Sequence, residues 1–104
     1  MTLPCLATYG SLMPGKGTAR ALEELGGTWS RGIVHGHLSG HGRTLSVTLD
    51  VSGPPVPVYL FSSADLPRAW AALDAMEGPD FIRRDVQVET EAGPISAFIY
   101  VAAG

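Results

Sequence analysis

The chain has 104 residues, 45% of them hydrophobic and 16% charged, with a formal net charge of −3, which suits one globular domain over residues 1–104 and not a disordered segment. Its seven basic residues are scattered, which argues against a phosphate-neutralising nucleic-acid surface, and its single cysteine, Cys5, allows neither an internal disulfide nor a thiolate metal cluster. No apolar run approaches the ~20 residues of a membrane span, and "MTLPCLATYG" lacks the basic start and apolar core of a signal peptide, so a soluble cytoplasmic protein is expected.

Thirteen glycines and eight prolines cut the chain into short elements. Leu3–Thr8 reads as a first strand. Thr18–Leu25 reads as a short helix, with Thr18 as N-cap and Gly26-Gly27 as its end. Trp29–Leu38 is a glycine-interrupted strand, and "SGHG" turns the chain. Leu45, Val47 and Leu49 alternate with Ser46 and Thr48, the pattern of a half-buried strand. Val56–Phe61 follows the "SGPP" turn as another strand. Asp65–Met76 is the clearest helix, capped by Asp65, with Pro67 in its first turn and Gly78-Pro79 stopping it. Phe81–Glu89 and Ile95–Ala103 are the last strands, joined by "TEAG". About six strands and two helices, with few helical crossovers, predict an α+β fold. The expected form is a small mixed, mostly antiparallel β-barrel.

Two stretches carry chemistry. In "TYGSLMPGKGT", Gly10, Gly15 and Lys16 approach a phosphate-binding P-loop, but Gly17 stands where the magnesium-binding hydroxyl belongs and Thr18 comes one residue late. "LSVTLD" even imitates the strand that ends in a metal-binding aspartate, at Asp50. The chain is too short and too poor in βαβ units for that architecture. What remains is an anion nest, a loop whose backbone N–H groups turn inward and serve a carboxylate as well as a phosphate.

The second stretch is "DLPRAWAALDAMEGPD". Steps of about 100° place Leu66, Ala69, Trp70, Leu73 and Glu77 in one sector, with Asp74 at the border. A carboxylate on an apolar face, in the last turn of a helix, is pushed towards its neutral form by burial and by the helix dipole. That is the state that general acid–base chemistry uses. The plainer alternative is a helix-end residue that turns to solvent or pairs with Arg83 or Arg84.

The remaining residues are weaker signals. His35 and His37 share a strand face near His41, but two histidines without further ligands at useful spacing suit a polar outer face better than a metal. Trp29 and Trp70 read as core, and Cys5 as a small buried hydrophobe.

Together, "YGSLMPG", "LDAMEG", the aromatic-x-Arg at Phe81 and Arg83, and "AFIYVA" resemble the gamma-glutamylcyclotransferase-like (AIG2-like) family, in the family's order and over nearly the whole chain. The resemblance implies a β-barrel with outer helices and a pocket where the YGSL loop meets the glutamate. It implies Glu77 as catalytic acid/base and Tyr9, Gly10, Ser11 and Leu12 as the substrate loop. Tyr59, Arg83 and Tyr100 are further expected pocket residues. The implied reaction is cyclisation of a gamma-glutamyl amine or peptide to 5-oxoproline. No cofactor, metal or nucleic-acid partner is implied. The rival is a non-catalytic module that binds a small carboxylate on the same fold. The chain departs from the family at Phe81, where members usually carry tyrosine, and at "GRTLSV", where an aromatic-Pro pair is common.

Overall fold

The structure, a computed structural model, describes residues 3–9, 20–41 and 45–103. Its elements run β1 (Cys5–Thr8), α1 (Arg20–Glu23), β2 (Thr28–Ser39), β3 (Ser46–Leu49), β4 (Pro55–Ser62), α2 (Leu66–Glu77), β5 (Phe81–Thr90) and β6 (Gly93–Ala102). The strand order is β3-β2-β4-β1-β6-β5, and a further pairing of Ile33 with Glu89 joins β2 to β5. Five strands therefore close into a barrel, and β3 is an extra strand beside β2. The mixed, mostly antiparallel barrel expected from the sequence is the observed architecture. Among the described residues its one parallel pairing is β1 with β6.

Alternation along the strands builds two cores, as a period-2 pattern must when both faces are covered. Inward residues such as Ala7, Val34, Val58, Leu60, Val88 and Ile99 fill the barrel. Outward residues Leu6, Phe61 and Tyr100 form a second cluster with Leu22 of α1 and with Leu66 and Leu73 of α2. The helices thus cover an apolar outer patch of the sheet. Trp29 stacks near Phe61 (4.9 Å between centroids) and Trp70 meets Phe98 edge-on (5.2 Å). Both tryptophans are partly buried against this outer cluster, consistent with a packing role.

The start of α2 differs from expectation. Asp65 sits at the N-cap but already has helical angles (φ −90°, ψ −4°), and its side chain makes no capping bond. It pairs instead with Arg68 at 3.1 Å. Buried Ser63 holds this corner: its hydroxyl accepts the Asp65 N–H at 3.1 Å and donates to the Gly26 carbonyl at 2.9 Å. At the other end Gly78 has φ 82°, and its N–H bonds the Asp74 carbonyl. Glycine takes that left-handed conformation without steric cost. The helix therefore ends on Glu77 itself. Thr18, expected to cap the first helix, lies outside the described residues.

Close approach makes Gly32 a sensitive point. A Cβ there would stand 2.4 Å from Val88 Cγ1 and 3.1 Å from the Glu89 carbonyl, where β2 meets β5. Gly32→Ala is expected to lower unfolding free energy by about 1–3 kcal/mol, the usual cost of overpacking. Urea denaturation checks this, and an unchanged midpoint would contradict the tight seam.

Candidate active site

β1 delivers Tyr9 to the interior end of the barrel. Its ring packs against the inner core. Its hydroxyl donates to the Tyr100 carbonyl at 2.5 Å and accepts the Val47 N–H at 3.2 Å. One phenol therefore ties the exit of β1 to β6 and β3. Burial pushes the Tyr9 pKa up to about 12; the Val47 hydrogen bond opposes the shift and the charge of Glu77 adds to it.

Tyr100 faces the other way, outward beneath α2. Its hydroxyl donates to Asp74 Oδ1 at 2.6 Å. Burial is the main cause of its raised pKa, helped by the Asp74 hydrogen bond and charge and by the charge of Glu77, while Arg83 opposes. Arg83 lies opposite Tyr100 in the β5–β6 register. It forms an ion pair with Asp74 (Nε–Oδ1 3.4 Å) and lies over the rings of Trp70 (4.3 Å) and Phe98 (5.4 Å).

Glu77 stands one turn beyond Asp74, half-buried at the end of α2. Among the described residues it makes no hydrogen bond or ion pair. Burial raises its pKa. Its charge is felt at both phenols, yet both hydroxyls are already engaged elsewhere. Neither arginine takes it: Arg83 is held by Asp74, and Arg84 is exposed on the alternate face of β5. Among the described residues the carboxylate is thus near both phenols and uncommitted.

The structure brings Tyr9, Tyr100 and Glu77 into one electrostatic group, with Arg83 of β5 held at Asp74, one helical turn before Glu77. Tyr59 stands apart from this group. It faces outward from β4 under the Arg31 guanidinium (5.6 Å), in a groove with Ile33, Pro57 and Glu89. Gly10, Ser11 and Leu12 lie outside the described residues, as do Gly15, Lys16 and Gly17. Asp74 is the participant that sequence reading underrated. Its place at the stripe border, three residues before Glu77, was visible, but its partners come from two distant strands.

The histidines are divided between different carboxylates. His35 bonds Glu89 (2.9 Å) and the Gly53 carbonyl (3.0 Å), and His37 bonds Asp50 (3.0 Å). Among the described residues no group of three or more His, Cys, Asp or Glu could hold a metal ion, and no helix is long and apolar enough to cross a membrane.

Residues 6–104 match the family model for gamma-glutamyl cyclotransferase, AIG2-like proteins. The chain belongs to this family. No curated protein matches the sequence. Among solved structures, YkqA from Bacillus subtilis aligns with a TM-score of 0.77 at 20% identity, over 99% of this chain and 36% of YkqA. An AIG2-like protein from Mus musculus aligns at 0.72 and 19% identity, over 99% of this chain and 79% of its own. A uropathogenic E. coli-specific protein, c4763, aligns at 0.75 and 20% identity, over all of this chain and 82% of its own. At such identities the likeness establishes the gamma-glutamyl cyclotransferase fold. This chain spans about a third of YkqA's length.

The raised pKa of Glu77 has a thermodynamic consequence. The folded state binds this proton more tightly than the unfolded chain, so ionising Glu77 costs stability. That cost is absent below the unfolded carboxylate range, about pH 4, and fully present above the folded-state value. Glu77→Gln should therefore raise the melting temperature at pH 7 to 8, with the gain closing as pH falls below about 4. A gain independent of pH would contradict the burial of an ionised Glu77.

Proposed function

We propose that this protein converts a gamma-glutamyl amine or peptide into 5-oxoproline and the free amine, with Glu77 as general acid/base. The observation that carries this reading is the half-buried carboxylate of Glu77. It has no partner among the described residues and lies within electrostatic range of Tyr9, the first residue of YGSL. Desolvation moves its pKa towards the working range of a group that must both take and return a proton.

The chemistry needs no protein nucleophile. Glu77 removes a proton from the substrate's α-ammonium. The freed amine attacks the substrate's own γ-carbonyl carbon, forming the ring C–N bond and an oxyanion. Collapse breaks the original amide C–N bond, Glu77 returns its proton to the departing nitrogen, and the surplus proton on the ring nitrogen passes to the released amine, which leaves as an ammonium. No water is consumed. Holding the chain folded in a near-attack shape supplies much of the acceleration. Backbone N–H groups of Gly10, Ser11 and Leu12 are proposed to hold the α-carboxylate or the oxyanion. Tyr9 and Tyr100 wall the site, and Arg83, whose Nε faces Asp74, has terminal N–H groups to offer a substrate carboxylate. Tyr59, on the outer face, is proposed only for the far end of a longer substrate. Cys5 suits this economy: it is buried, with Sγ 3.1 Å from Ser62 Oγ.

Release of 5-oxoproline from a panel of gamma-glutamyl amines, amino acids and peptides tests the reading. Glu77→Gln should lower kcat by at least ~10²-fold, the scale of a lost general acid–base, while the fold persists. Full activity in that variant would sink the assignment. Binding without turnover across the panel would instead favour a module that senses small carboxylates.

A further inference from the structure

We propose that Asp74 is a positioning residue that holds Arg83 one helical turn short of Glu77, so that this arginine does not pair with the Glu77 carboxylate. This inference rests on the acid/base reading of Glu77. Trp70, Asp74 and Glu77 sit at i, i+4 and i+7 on α2, so successive side chains are close neighbours along one face. Arg83, on the adjoining strand, reaches that face. It lies over Trp70 at 4.3 Å and Phe98 at 5.4 Å, and its Nε stands 3.4 Å from Asp74 Oδ1. A half-buried carboxylate one turn further on is a natural partner for a guanidinium, and the structure leaves that pairing unmade.

Three features keep Arg83 at Asp74. The Asp74 carboxylate accepts the Tyr100 hydroxyl at 2.6 Å, which fixes its direction towards β6. Tyr100 is the cross-strand neighbour of Arg83, so strand register sets phenol and guanidinium side by side. The two aromatic rings hold the guanidinium plane by cation–π contact. Among the described residues, the charge of Glu77 is felt at Tyr9 beyond β1 and at Tyr100 on β6, with Asp74 one turn back on α2 and Arg83 held against Asp74 from β5. Both hydroxyls and the guanidinium are engaged elsewhere, while Arg84 and Asp80 are exposed and share none of these contacts. Were Arg83 to pair with Glu77, it would favour the charged carboxylate. That weakens the base and withholds the proton from the leaving nitrogen.

The test is a double-mutant cycle read on the full chain by NMR titration of the Glu77 side-chain carboxyl. The Arg83→Gln step is measured in two backgrounds. With Asp74 in place it should move the Glu77 midpoint little. In Asp74→Asn, which still offers an oxygen to Tyr100, the midpoint should fall, and Arg83→Gln should raise it by about one pH unit, the low end of a carboxylate's response to an adjacent arginine. Equal steps in the two backgrounds, or no step with Asn at position 74, would overturn the proposal. Tyr100→Phe gives a second reading should Asp74→Asn not fold. The Arg83 step should grow there too, because the hydroxyl that orients Asp74 is gone, and a step no larger than in the parent protein would overturn the proposal. Turnover adds an independent arm: the acidic limb of kcat/KM should move to lower pH in Asp74→Asn and return in the double variant. An intact titration cycle in a protein that turns over no substrate would support the charge arrangement and remove only the catalytic reading.

Discussion

The short strand Cys5–Thr8 is the contact on which the rest of the structure depends. Its four residues are all buried. One edge pairs antiparallel with β4 and the other pairs parallel with β6, so this strand joins two halves of the barrel that no hairpin connects. A parallel pairing between chain ends brings Tyr9, at one end of the sequence, against Tyr100, at the other. The same phenol reaches Val47 and ties in β3. The strand that joins the two halves of the barrel thus also sets Tyr9 beside Tyr100.

The two faces of that sheet divide the work. The inner face is nearly all aliphatic and gives a rigid wall, since close-packed interiors yield little. The outer face carries the aromatic residues that seat α2, with Leu66 and Leu73 as its buried anchors. Because Gly78 ends the helix in a left-handed conformation, Glu77 stops at the rim of this packing, neither in solvent nor in the core. Half-burial is what distinguishes it chemically. A fully exposed carboxylate would keep its ordinary pKa, and a deeply buried one would need a partner.

Much of the fold was legible because its signals are local. Strand alternation, the α2 stripe and the glycine-marked turns depend on neighbours within a few residues, and each predicted element lies within a few residues of its observed counterpart. The exception at the start of α2 is instructive. Asp65 satisfies the composition rule for an N-cap, but Ser63 does the bonding, because backbone angles and the distant Gly26 carbonyl decide it. Glu77 was likewise visible from helical spacing. Asp74 was visible only as a border residue, and Tyr59 matched a family position that lies in a separate groove with Arg31, Ile33 and Glu89.

The sequence by itself determined the element order, the barrel class, the family and the presence of a carboxylate on an apolar helical face. These follow from periodicity and from motifs read along the chain. Only the tertiary structure decided which charges meet. Arg83 could have served Asp74 or Glu77, and the choice rests on the β5–β6 register, the Tyr100 hydroxyl and two aromatic rings. Partnership between charges depends on separations of a few ångströms across elements far apart in sequence, and spacing along a chain carries no record of them.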